Sequence, residues 1–541
     1  VKQGALQIFS RHGRMRLKVK SPLPIYENFL IPSSQSSPCP NRQDSEKKLS
    51  GLSKFSLATL THQGRKCAFF KHFMSKQLLI PFITRTNHSK FLQATAAVLL
   101  LAAVAVTPSV LAQQEPAQDA LDLPALLEGE GATGDWFGGR DWLEDRGIDF
   151  FGSYTAEVWG NVSGGEQRGA VYTGLLDFGV TLDFEDLIGW KGASFHNSWL
   201  WLSGQGPSDQ LVGDNLFAVS NIEGFATFRM FELWFQQNLL DDAISLRFGQ
   251  LAADEEFAIS EYAELFLNGT FGWPAFLSES IPNGGPGYPL ATPGIRLKVN
   301  PAEWLTFRAA VFQGDPFAED VNRHGFRYRL DRSNGFLFLN ELETRWAGIR
   351  DSELAGSFKA GAWFHTANFS DPGDEAIRRY GNTGFYFIFD QALYRPQASP
   401  TAPLFFKSSK GGESFASHVE AEESSEGLGS FLRIAFEPPN RNEISFYVDA
   451  GLTYQGLIPT RRDDTIGVAV AYGKLSGGAV QGLRDDGAVN PGYEMALEAT
   501  YQIQVTPWFA IQPDLQYIIR PGGTADFGNA FLLGLRTSIE F

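Results

Sequence analysis

Charged residues of both signs recur at alternate positions along several runs of this chain, and what they could do is directed, reversible hydrogen bonding. Where one face of a run is apolar, the other carries Asp177, Asp183 and Glu232, then Arg247, Arg296, Lys298 and Arg308, then Glu341, Glu343, Arg345 and Lys359. Carboxylates accept hydrogen bonds and guanidinium forks donate them in fixed directions. A lining of mixed sign disfavours strong selection for ions of one charge and suits a neutral polar solute. The plainer alternative for each charge is an ion pair that holds the wall in shape. Trp273 lies in an irregular stretch between two of these runs. It either offers a flat face to a ring or packs its own loop.

Catalytic patterns are poor by comparison. Glu341 and Glu343 could in principle serve as the two acids of a glycosidase, but an acidic chain produces such pairs by chance. The histidines after residue 112 are His196, His324, His365 and His418, far apart and without a His-Glu-x-x-His spacing. Gly467 to Lys474 has the wrong glycine spacing for a phosphate loop, and Leu475 stands where Ser or Thr is required. Both cysteines, Cys39 and Cys67, lie early in the chain, so no thiolate metal site or disulfide framework exists beyond them. Neither an enzyme, a metal nor a cofactor is expected.

Charge divides the chain sharply. Residues 1–112 hold 16 Lys/Arg against 3 Asp/Glu, which leaves 29 Lys/Arg against 58 Asp/Glu in residues 113–541. So acidic a body does not suit phosphate backbones, and no nucleic-acid partner is expected. Within the basic part, Met74 opens a secretory signal: Lys76, Arg85 and Lys90, an apolar core from Ala94 to Val106, and a small-residue cut after Ala112. The expected organisation is therefore an upstream extension over 1–73, a signal peptide over 74–112, and a polar lead with a short helix over 113–147. The helix is expected over Thr133–Gly147 with Asp135 as its N-cap; it could plug the mouth of a barrel or seal its seam.

From Ile148 the period switches to two, and no apolar run is long enough for a membrane-spanning helix. Sixteen alternating runs begin near Ile148, Val171, Gly192, Phe228, Ala243, Thr292, Glu303, Gly335, Leu354, Gly381, Gly429, Glu443, Thr465, Gly492, Trp508 and Gly528. In the last, Phe531, Leu533, Leu535, Thr537, Ile539 and Phe541 share one face. Aromatic ends around an aliphatic middle on one face, with small or charged residues opposite, describe a transmembrane antiparallel β-barrel of about 16 strands over 148–541. The stretch around Leu265–Lys298, rich in Phe, Pro and Gly, is too long and irregular for a hairpin turn. It is expected to fold inward as a constriction loop, with Arg247, Arg296, Lys298 and Glu232 on the strands flanking it. The segment 395–428 falls on the short-turn side: either one strand is miscounted there or an insertion lies in the periplasm.

Several longer pieces resemble the carbohydrate-selective porin family typified by OprB. They include GDWFGGRDWLEDRGIDF at 134–150, LRFGQLAADEEF at 246–257, LFLNGTFGWPAF and YPLATPGIRLKV at 265–299, and FYVDAGLTYQGLIPTRRDDTIGVAVAYG at 446–473. The resemblance implies a Gram-negative outer-membrane channel for facilitated diffusion of mono- and disaccharides. The candidate constriction residues are Arg247, Arg296, Lys298, Glu232, Trp273 and Arg308. The implied partners are sugars, outer-membrane lipid and lipopolysaccharide, and the outer-membrane assembly machinery, with a monomer or a trimer both open. The alternatives are a porin of broader or different selectivity and a secreted β-rich sugar-binding protein or glycosidase.

Overall fold

Alternation in the sequence becomes a ring of sixteen antiparallel strands. The computed structural model describes residues 8–11, 14–17, 129, 131–213, 215–330, 333–346, 354–396 and 426–541. Both the signal peptide and the bulk of the 395–428 segment lie outside the described residues. So does most of the 1–73 extension, of which only a short hairpin, Ile8–Arg11 paired with Arg14–Leu17, is described. The chain divides into two units, and the one spanning residues 18–120 is outside the described residues entirely.

The ring runs β1 (Ile148–Gly165), β2 (Gly169–Asp183), β3 (Ala193–Gly204), β4 (Thr227–Leu239), β5 (Ile244–Leu251) and β6 (Thr292–Ala302). It continues with β7 (Leu305–Gln313), β8 (Phe336–Trp346), β9 (Gly356–Asp371), β10 (Asp374–Tyr394) and β11 (Gly427–Phe436). The last strands are β12 (Ile444–Gln455), β13 (Thr465–Leu475), β14 (Tyr493–Thr506), β15 (Phe509–Ile519) and β16 (Gly528–Glu540). Each pairs with the next, and β16 closes on β1 through pairs such as Leu535 with Val158. Closure leaves no free sheet edge, which a wall in hydrocarbon requires.

The wall is inverted relative to a water-soluble fold. Ile295 is 52% exposed while its neighbour Arg296 is 2% exposed. Phe248, Leu342 and Leu533 are likewise exposed, and Arg247, Glu341 and Leu532 buried. An apolar belt outside and charge inside is the arrangement that lipid stabilises. Tight connections at 240–243, 303–304 and 507–508 share one rim, and 205–226, 252–291 and 314–335 lie on the other. Because β10 and β11 pair directly, Phe389 opposite Leu432, no strand is missing between them. Strand parity therefore puts the end of β10 at Tyr394 and the start of β11 at Gly427 on the tight-turn rim.

Four local expectations are corrected. The helix spans only Gly139–Glu144 and is capped by Gly138 in a left-handed conformation; Asp135 instead accepts from the Asp141 N–H at 3.3 Å. Strand β10 begins at Asp374, seven residues before Gly381, because its hairpin with β9 continues past the body of the wall. Asp183 does not line the interior but caps the short helix Phe184–Ile188, accepting from Glu185 N–H at 2.7 Å. Ile444, which alternation from Phe446 would turn outward, is fully buried inside, because a register shift between Ile444 and Phe446 reverses the face.

Candidate functional site

Two connections from the long-loop rim fold into the ring, and their buried backbone groups need partners that water does not supply. The wall provides them. Ala252, first residue of the 252–291 loop, donates its N–H to Glu232 Oε1 at 2.8 Å. On the far wall, Glu498 accepts from the N–H groups of Leu267 and Asn268 at 2.5 and 3.0 Å, and Glu341 from that of Ala258 at 3.0 Å. Lys359 donates to Ile259 O at 2.9 Å. Arg433, fully buried and paired with Asp449, donates to Ala258 O at 3.1 Å and to Thr270 O at 2.9 Å. Glu494 holds the 205–226 loop in the same way, accepting from Leu216 and Phe217 N–H groups, both at 2.8 Å.

Between these anchors the loop is greasy. Phe266 and Phe271 pack against Phe431, and Phe276 against Tyr386 and Tyr447. One side of the interior is thus a dry core rather than a hydrated lining. Trp273 belongs to that core: it is 9% exposed, and its indole N–H donates to Gly284 O at 2.8 Å. Its face is covered by Gly287, where a Cβ would come within 2.9 Å of the ring. Of its two readings, this geometry favours packing within its own loop over a flat face offered to a ring.

Arg247 and Arg296 are brought together as neighbours on β5 and β6. Both hold Glu256 of the loop, at 3.1 and 2.8 Å, and both donate to Gln236 Oε1, at 2.9 and 2.8 Å. Arg247 also lies 3.9 Å over the Trp234 ring. Burial opposes the ionised form of Glu256, but Arg296, Arg247, Lys298 and Arg308 outweigh it and hold that carboxyl down at about 2. Lys298 is half-buried. Arg308 is engaged with Glu341 at 3.2 Å and Glu343 at 2.7 Å. Arg247 and Arg296 therefore clamp the loop from behind, with Lys298 and Arg308 adding charge to the same side.

A cavity lies on the other side of the loops. Its wall is formed by Ser153 and Thr155 of β1, Asp177 of β2 and Arg536 of β16, and its loop side by Asn221, Asp254, Glu255 and Tyr288. Arg536 is fixed by Glu157 at 2.7 Å and by Asn221. Arg229 of β4 is 1% exposed, with no hydrogen-bond partner on any guanidinium nitrogen among the described residues. Asp177 Oδ1 and Glu255 Oε2 likewise have none.

Alternation alone misassigns Arg229. Counting inward from Glu232 puts it on the lipid face. Yet Asn197 and Trp199 of β3 oppose Leu233 and Met230, so β4 carries one extra residue there. That bulge turns Phe228 outward, 48% exposed, and Arg229 inward. Asn221, Asp254 and Glu255 sit in loops, which have no period to read. Arg536 is legible as inward-facing, but nothing in its sequence position marks it as a neighbour of loops more than 240 residues earlier.

Residues 167–541 match the carbohydrate-selective porin, OprB family. Porin B of Pseudomonas aeruginosa is 26% identical over 441 residues, covering 75% of this chain and 90% of that protein. The putative porin QuiX of Acinetobacter baylyi is 23% identical over 423 residues, covering 75% and 92%. A solved high-pH structure of Pseudomonas putida OprB superposes with a TM-score of 0.65 at 23% identity, over 76% of this chain and 99% of that one, and shows the same fold. Fold and family are those of a channel rather than an enzyme. The family match spans well over half of the sequence, and the chain belongs to the carbohydrate-selective porins of the Gram-negative outer membrane.

Proposed function

We propose that this porin passes mono- and disaccharides by facilitated diffusion, and that the gap between the loops and the wall of β1, β2 and β16 discriminates among them. One observation carries the reading: the gap is lined by groups of both kinds, acceptors on Asp177, Asp254 and Glu255 and donors on Arg536 and Asn221. A solute rich in hydroxyls donates to the first and accepts from the second in turn. Binding stays weak because each group offers only a few hydrogen bonds, which lets the solute leave. In this reading Arg247, Arg296, Lys298, Arg308 and Glu232 set the width of the gap through the loop they hold.

Liposome swelling with sugars of increasing size tests the proposal. Monosaccharides should enter faster than disaccharides of equal concentration, and Asp177→Leu should slow monosaccharide entry by about tenfold, the loss of one hydrogen bond to a carboxylate. Entry that ranks by solute size alone, with Asp177→Leu behaving as the parent, would instead mark a general porin.

A further inference from the structure

On the long-loop rim the wall has a weak place. Pairing between β4 and β5 reaches only to Leu233 opposite Gln250, after which β5 turns inward and leaves the Thr227–Glu232 edge of β4 without a strand beside it. The 314–335 loop covers that edge. Met230 N–H donates to His324 O at 3.2 Å, the Thr227 hydroxyl to Arg323 O at 2.8 Å, and the His324 ring to Phe228 O at 2.8 Å. The fit demands glycine at 325: its φ is +78°, and a Cβ there would meet Met230 O at 2.1 Å. This strap accounts for residues 323–325.

Beyond it Tyr328 and Arg329 are tied to Gln250 and Gln313, at 2.6 and 2.9 Å, but the side chains of Phe326 and Arg327 are not accounted for in this way. Phe326, Arg327, Tyr328, Arg329 and Leu330 are all exposed. Phe326 lies 5.9 Å from Trp199, which stacks at 5.2 Å on Phe228; both of these belong to the outer, lipid-facing side of the wall. Arg323 and Arg327 rest on the Phe225 and Phe317 rings at 5.0 and 5.3 Å. Neither has a carboxylate within ion-pair distance among the described residues. Glu319 is turned onto the Phe225 N–H instead. Exposed cations standing beside an outward aromatic shelf, at the level where strands end, match the two halves of an anionic amphiphile: phosphate oxygens for guanidinium forks, acyl chains for rings.

We propose that Arg323, Arg327 and the shelf of Trp199, Phe228 and Phe326 bind a phosphate-bearing lipid of the outer leaflet. The site lies outside the passage and does not depend on which solute the channel carries. Such a lipid seals the wall where the β4 edge is held by a loop rather than by a strand.

The test is native mass spectrometry of the full barrel in neutral detergent at low salt, titrated with phosphatidic acid, with phosphatidylcholine, and with inorganic phosphate as competitor. The parent should retain phosphatidic acid in preference to phosphatidylcholine, and millimolar phosphate should not displace it. Each cation near a lipid surface is worth about 1 kcal/mol. Arg323→Ala/Arg327→Ala should therefore lose roughly tenfold to thirtyfold in affinity, while Arg323→Lys/Arg327→Lys retains most of it. Unchanged sugar entry by the alanine pair confirms an intact barrel. Equal retention of both lipids, displacement by inorganic phosphate, or an alanine pair that binds as the parent does would each overturn the assignment.

Discussion

The buried guanidinium of Arg433 offers a direct way to ask whether the 252–291 loop is held shut from the far wall. Arg433→Met removes two charge-assisted hydrogen bonds to loop carbonyls, those of Ala258 and Thr270. At about 1.5–3 kcal/mol each, the loop loses roughly 3–6 kcal/mol of anchoring. The same substitution leaves Asp449 buried with only the Tyr447 hydroxyl beside it, at 2.7 Å, a separate cost of about 3–5 kcal/mol. Adding Asp449→Leu cancels the second cost and keeps the first. Since the amide anchors on Glu498, Glu341 and Glu232 persist, the loop should remain mainly closed but open far more often. At about 1.4 kcal/mol per tenfold, the population of an enlarged state should rise at least about a hundredfold. Single-channel recordings in planar bilayers read this as brief steps to a higher conductance. They should appear in both variants, whereas thermal stability should fall further in the single variant than in the double. If both variants assemble and neither shows added large-conductance steps, the far wall does not latch the loop.

Three further outcomes are expected from the geometry. Glu256 is held below its ordinary value of 4.5, at about 2, so its contribution is complete above the ordinary value and disappears as pH falls through the lower one. Current noise should therefore stay low at pH 4 and increase toward pH 2, and Glu256→Gln should be noisy at neutral pH; an onset at pH 4.5 in the parent would contradict the arginine clamp. Trp273→Ala should destabilise the barrel by about 3–5 kcal/mol, measured by the temperature at which heat-modifiable gel mobility is lost. Trp273→Phe should leave monosaccharide entry within about twofold of the parent, and a large loss of entry would restore the stacking role. Gly325→Ala should lower thermal stability through both its backbone angle and its clash with Met230 O, whereas Gly477→Ala, where no atom lies within 4 Å, should not.

The wall is the part legible from residues alone, because a period of two is enforced at every position by lipid on one side and polar or packed surface on the other. Tyr493–Thr506 shows why: Leu497 is exposed outside while Glu494 and Ala496 are fully buried inside. Bulges defeat this reading, since one added residue reverses every face beyond it, and Arg229 and Ile444 are misassigned by alternation for that reason. Carboxylates such as Glu498 are legible as inward-facing but not as anchors. Their partners are backbone amides of a loop, and no side-chain pattern announces a backbone amide. Trp273 illustrates the reverse difficulty: an aromatic residue in a loop suggests a ligand until the loop turns out to have a core of its own.

Arg536 comes from the strand that completes the circuit with β1, and its partner Glu157 comes from the strand that began it. The same ion pair thus does two jobs: it fastens the two terminal staves of the cylinder to each other, and it fixes in place a cation beside the proposed gap.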